Sequence, residues 1–210
     1  MTRFRTERGL DRLVNFSDAT VAIAITILLL PLVDVAVEIE KESLGELLSS
    51  NIGTIIAFAA TFAVIARLWT VHHRIFEAAV DYDNGTIWIN FLWLASIVLM
   101  PFTSNVLAHS DLADPSVNAL YIGTMLLSSV ALLWLVVHLR RHPPLTASGA
   151  RKNLRVRETA VTVVTFAVAL VLSVIFPRVG IYGLLLLIPV SVVTGLWRRR
   201  ANPPSAAPPS

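Results

Sequence analysis

Hydrophobic residues in this chain fall into membrane-length blocks, and the short segments between the blocks hold nearly all of the charge. Six blocks, at residues 14–33, 52–71, 86–107, 119–138, 159–176 and 180–197, have the roughly 17–25 residues a helix needs to cross a hydrocarbon core. The pattern predicts an all-α membrane protein, a bundle of six transmembrane helices. Residues 1–13 form a charged N-terminal segment, 14–197 the transmembrane domain, and the Pro/Ser/Ala-rich residues 198–210 a disordered tail. Only Pro177-Arg178-Val179 separates the fifth and sixth blocks, which predicts a tight antiparallel hairpin. No internal repeat is visible. The first block contains an Asp and lacks a small-residue cleavage motif after it, so it is expected to stay in the membrane rather than be removed as a signal peptide.

That first block breaks the pattern in an informative way. It carries a polar knot, Asn15-Phe16-Ser17-Asp18, just inside its start. A carboxylate at the centre of a membrane helix costs roughly 2.5–3.5 kcal/mol, and less near the interface, so a plain anchor has no need of one. Behind the knot, Ile23, Ile27 and Leu30 stand at i, i+4 and i+7, on one side of a helix, with Thr26 beside them. Asp18 lies five positions before Ile23, about 140° around the helix, so it points away from that stripe toward neighbouring helices. Aliphatic residues at this spacing in a membrane helix ordinarily mean packing or lipid contact. Periodicity alone leaves open whether they line a pore.

Composition and charge sharpen the picture. With 55% hydrophobic and 15% charged residues, the chain is too apolar for an ordinary soluble domain. The absence of Cys excludes disulfides, thiolate metal sites and cysteine nucleophiles. A net charge of +3 would suit nucleic acid, but the charges sit in loops between membrane blocks, and no nucleic-acid partner is expected. Of the 17 Lys and Arg residues, all but Lys41 and Arg178 fall on one side of the predicted topology. The opposite side carries Asp34, Glu38, Glu40, Glu42, Glu46, Asp111 and Asp114. Positive charge stays in the cytoplasm, so both termini are expected there.

At the same membrane depth as Asp18 this topology places Arg67, His72, His73 and Arg74 at the end of the second block, and Trp88 and Asn90 at the start of the third. Ser17 and Asp18 then serve either as hydrogen-bonding anchors between helices or directly in gating or proton sensing. No metal site is expected. His72 and His73 are adjacent and point about 100° apart on a helix, and His109, His138 and His142 lie at helix ends where an interface accounts for them. Trp69, Trp88, Trp134 and Trp197 lie near block ends as an interfacial belt, and Thr159, Thr162 and Thr165 suit helix packing. There is no GxSxG, no phosphate-binding glycine loop and no TVGYG filter, so the chain reads as a non-enzyme with no catalytic residues and no cofactor.

The segment Arg12-Leu-Val-Asn-Phe16-Ser17-Asp18 fits the RxxxFSD signature that opens the first helix of the transmembrane-protein-175 family, and the chain resembles that family. Trp69-Thr-Val-His72-His73-Arg74-Ile-Phe76 is a second match, and Asn90 through Pro101-Phe102 a weaker one. Beyond the third block the likeness is one of hydropathy. The resemblance implies a potassium-selective cation channel of a bacterial cytoplasmic membrane, with four six-helix subunits around one pore lined by the first helix. Animal relatives fuse two such repeats. It implies a hydrophobic constriction at Ile23, Ile27 and Leu30, a pore hydroxyl at Thr26, and a network bracing the first helix from Arg12, Phe16, Ser17, Asp18, Trp69, His72, His73 and Trp88. Partners on this reading are potassium ions, three further copies of the chain and the lipid bilayer. The alternatives are a proton-coupled secondary transporter using Asp18 and His72/His73, against which stand the lack of an inverted repeat and of broken helices around a midplane site, and a non-conducting membrane scaffold.

Overall fold

The computed structural model describes residues 7–36, 43–111 and 114–176. The predicted sixth helix, the 177–179 hairpin and the tail lie outside the described residues. Within them the chain is helical, and the five other predicted blocks all appear. The elements are α1 (Glu7–Leu28), α2 (Leu30–Ala36), α3 (Leu44–Ser50), α4 (Ile52–Glu77), α5 (Asn84–Ala108), α6 (Pro115–Arg141) and α7 (Val156–Ile175). Among the described residues, five stretches are long and apolar enough to cross a membrane: Arg8–Val35, Ile52–Glu77, Asn84–Ala108, Pro115–Arg141 and Ala150–Ile175.

The predicted helix 14–33 is interrupted at Leu29, and Pro31 is the physical reason. Proline has no N–H to give the carbonyl of Ile27, and its ring crowds that carbonyl. The backbone tightens before it, with Leu29 N donating to Thr26 O at 3.2 Å, and resumes as α2. The helix also starts earlier than its apolar block, at Glu7. α3 is a short helix in the segment between the first two blocks. It is started by a capping box in which Glu46 N donates to Ser43 Oγ and Ser43 N to the Glu46 carboxylate.

Side-chain caps start α5 and α6 as well. Asp83 accepts from Thr86 N at 2.7 Å, and Asp114 accepts from Ser116 N with Pro115 in the first turn. Burial pushes the Asp83 carboxyl up, but hydrogen bonds from the Thr86 amide, the His138 ring and the Thr86 hydroxyl outweigh it and hold it down to about 2. A carboxyl lowered on folding contributes stability that is present above its ordinary value of 3.8 and lost as the pH falls through about 2.

The core lies between α5 and α6. Trp93, Ile97 and Met100 from α5, and Ile122, Met125, Leu132, Leu135 and Leu139 from α6, are fully enclosed. α4 joins them partly through a polar knot: the Thr61 hydroxyl lies 2.9 Å from Ser104 Oγ and 2.8 Å from Tyr121 OH, linking three helices inside the apolar bundle. At one end of the bundle the 78–83 loop is pinned to the chain leaving α6, with Val80 N donating to Leu145 O at 2.9 Å and Ala147 N to Ala78 O at 3.1 Å. By contrast α1 and α7 bury only small parts of their surfaces.

Candidate functional site: the outward stripe of α1 and its anchor

Helix α1 has two unlike faces. Ser17, Val21, Ala24 and Leu28, spaced by four, three and four, are buried where α1 packs on α4 and α5. On the other side Ile23 is 59% and Ile27 45% exposed, and beyond the break Leu30 is 55% exposed. Thr26 is exposed between them, its hydroxyl donating to Ile23 O at 2.7 Å. The four stripe residues therefore share the outer side of this chain. Burying isoleucine or leucine is worth about 1.5–3 kcal/mol, so the stripe is suited to lipid, a partner or a narrow pore rather than to bulk water.

The inner face is held by a directional chain of hydrogen bonds. His72 Nε2 donates to Asn90 Oδ1 at 2.8 Å, Asn90 Nδ2 donates to Ser17 Oγ at 2.9 Å, and Ser17 Oγ donates to Leu13 O at 2.8 Å. Ser17, His72 and Asn90 are all buried, so α4, α5 and α1 are tied through one polar thread in an apolar surround. The His72 ring also stacks on Trp93, with centroids 3.8 Å apart and planes 10° apart. Asp18, on the flank of α1, accepts from Trp69 Nε1 at 2.8 Å, and Trp69 stacks on His73 with centroids 5.2 Å apart.

The residues named from the sequence thus divide. Ser17 and His72 meet through Asn90; Asp18, Trp69 and His73 form a second group. His73 is exposed and also lies 3.4 Å from Glu77. Arg12 is exposed and makes no hydrogen bond or ion pair among the described residues. It borders a groove between α1 and α5 lined by Leu13, Phe16, Tyr82 and Phe91. Phe16 meets Phe91 edge-on at 6.1 Å, and Trp88, 73% exposed, lies 6.2 Å from the same ring. Arg12, Phe16 and Trp88 therefore stand apart from the buried thread.

Two members of the anchor were not among the sequence candidates. Asn90 had been placed only by depth, although an amide inside an apolar block invites the same question as Asp18. Trp93 is the one tryptophan set inside a block rather than near its end, but position alone does not show what it packs against. Its burial comes from the α5–α6 core, which composition does not reveal.

A multi-pass all-α membrane protein, with one helix anchored by buried polar bonds on one face and apolar and exposed on the other, is the class that fold and site define. Residues 12–101, a little under half of the chain, match the family described as endosomal/lysosomal potassium channel TMEM175. A potassium channel of Chamaesiphon minutus is 35% identical over 99 residues, which are 47% of this chain and 49% of that protein. The endosomal/lysosomal proton channel TMEM175 of Mus musculus is 28% identical over 109 residues, 49% of this chain and 21% of that protein. The chain thus spans about half or less of these relatives' own length. The crystal structure of a lysosomal potassium-selective channel TMEM175 homolog from Chamaesiphon minutus has the same fold, with a TM-score of 0.71 at 24% identity over 89% of this chain and 98% of that one.

Proposed function

We propose that the chain is a potassium-conducting channel whose pore is made by α1 from four copies, with Ile23, Ile27 and Leu30 as a hydrophobic constriction and Thr26 as a hydroxyl beside it. The observation that carries the reading is the stripe itself: bulky aliphatics left open along one helix whose opposite face is bolted to the bundle. One subunit leaves little room for a central water path, so the path is placed on a symmetry axis between subunits. An apolar ring gives an ion no ligands, and passage depends on water entering the ring when the helices splay. Potassium holds its water less tightly than sodium, which favours it at such a ring. The membrane is the bacterial cytoplasmic one, and the function is transport without catalysis.

The test is ion flux from liposomes holding the purified chain. A channel gives electrogenic potassium flux that persists without a proton gradient; flux that requires the gradient, or no flux, overturns the reading. Some relatives are named proton channels, so the same assay is run with a pH-sensitive dye inside the vesicles. The coupled-transporter alternative would route protons between Asp18 and His72 or His73. Among the described residues Asp18 bonds to Trp69 and His72 to Asn90, so that relay lacks a link.

Two further outcomes are expected here. Asp18→Asn keeps an oxygen for the Trp69 donor and lies off the stripe, so unitary conductance should stay near that of the wild type. A large fall in unitary conductance with the assembly intact would move Asp18 into the pore. The charge asymmetry places both ends of the chain in the cytoplasm, and the cysteine-free sequence makes labelling clean. A cysteine at Ser205 should react only from the cytoplasmic side; reaction only from the opposite side reverses the topology.

A further inference from the structure

Three side chains able to ligate a metal, from two different elements, meet where α5 begins and α6 ends. They are Asp83, which caps α5, and His138 and His142, one turn apart at the end of α6. Their ligand atoms all lie within 4.8 Å of one another. Nothing in the sequence foretold this meeting, because Asp83 is 55 positions from His138 and no short motif joins them. The i, i+4 spacing puts both imidazoles on one side of α6, unlike the adjacent His72 and His73.

The local geometry suits ligation. His142 Nδ1 lies 2.8 Å from the His138 carbonyl oxygen, which can only accept, so Nδ1 carries the proton and Nε2 is left with its lone pair. A carbonyl holding the second ring N–H is the usual outer support of a metal-bound histidine. His138 Nε2 lies 2.8 Å from Asp83 Oδ1. Oδ1 also accepts from the Thr86 amide and hydroxyl, while Oδ2 has no hydrogen bond among the described residues. Gly85 makes room for the ring: a Cβ there would stand 2.6 Å from His138 Cε1 and 2.9 Å from Nε2. The site is also tethered from outside, since the loop carrying Asp83 pairs with the chain leaving α6 through the Ala79–Thr146 bridge.

We infer that Asp83, His138 and His142 form a binding site for a divalent transition metal of the zinc class, completed by water. Two imidazoles and one carboxylate are borderline ligands, which select zinc, cobalt or nickel over magnesium or calcium. Bonds of about 2.0–2.2 Å in a tetrahedral site hold ligand atoms about 3.3 Å apart. The Asp83–His138 pair then opens by about half an ångström as the metal replaces the bridging proton, which leaves to solvent, and His142 Nε2 closes from the other side. The bound ion ties the start of α5 to the end of α6, two turns before Asn90. This inference does not rest on the channel reading.

The experiment uses the full chain in detergent, stripped of metal by a chelator and titrated with Co²⁺, whose d–d absorption in the visible reports tetrahedral nitrogen and oxygen ligation. One Co²⁺ per chain, displaced by Zn²⁺, is the expected result. His142→Gln should weaken binding by about tenfold or more, the range that even an outer partner of a ligand is worth. It should leave metal-free thermal unfolding unchanged, because His142 is exposed and the Asp83–His138 bond survives its loss. Gly85→Ala should weaken binding too, by displacing the His138 ring, while His73→Gln and His109→Gln should not. No cobalt band, or equal binding by wild type and His142→Gln, overturns the site and leaves Asp83–His138 as a helix cap only.

Discussion

Asn90→Ala is expected to lower the stability of the bundle by about 2–4 kcal/mol, among the larger effects available to one substitution. Asn90 is the middle of the thread that joins His72 to Ser17, and all three are buried. Its truncation leaves the Nε2–H of His72 without an acceptor in an apolar surround, a loss of about 1–3 kcal/mol, and removes packing beside it. Ser17 suffers less, because its hydroxyl still donates to Leu13 O. The thermal midpoint of the purified protein should fall by roughly 5–15 °C. Ser17→Ala should give a smaller drop. Trp88→Ala is the control, since Trp88 is 73% exposed and lies outside the thread; a shift within about 0.5 kcal/mol is expected. If Asn90→Ala and Trp88→Ala unfold alike, the thread does not hold α1 in place.

Much of this fold was legible before any coordinates, and the reasons are specific. Membrane-length apolar blocks are the strongest periodic signal a sequence carries, so the helices at 52–77, 84–108, 115–141 and 156–175 are foreseen, with ends off by up to six residues. The break at Leu29 was also open to view in Pro31, but a block counted by hydropathy passes through a proline without registering it. On α1 the wheel separated Asp18 from Ile23, and the structure has Asp18 bonded to Trp69 on α4 while Ile23 is exposed. The partner of Asp18 was less accessible. Depth offered Asp18 a cationic or hydrogen-bonding partner without choosing between them, and it is the neutral indole of Trp69 that meets it. Depth gives a shared level, not which side chains touch. For the same reason the bonds of Asn90 and the Asp83–His138–His142 cluster are not legible in the sequence: each depends on how helices rotate against one another, which no spacing within one helix fixes.

Ile23→Asn should have the largest effect on conduction if α1 lines the path. Ile23 is the first residue of the exposed stripe after Asp18, and four copies around an axis would set an apolar ring that water leaves when the ring is narrow. An amide at each position offers oxygen ligands and keeps the ring wet. Removing about 1.4 kcal/mol from the barrier corresponds to a tenfold higher flux, so a cation leak at least that large is expected in liposomes. The preference for potassium over sodium should weaken in the same experiment, because an ion that keeps its water at the ring no longer reveals how tightly it holds it. The comparison that isolates the stripe is Ile25→Ala. Ile25 is about 160° from Ile23 on the helix and packs partly against the buried core. Its truncation should lower stability modestly and leave both flux and ion preference close to wild type. Mixed assemblies extend the test: if one pore is shared by four chains, leak should grow with the fraction of Ile23→Asn subunits in the assembly. Equal changes in flux from Ile23→Asn and Ile25→Ala would mean that the stripe faces lipid or a neighbouring helix, and the pore would have to be sought on another helix.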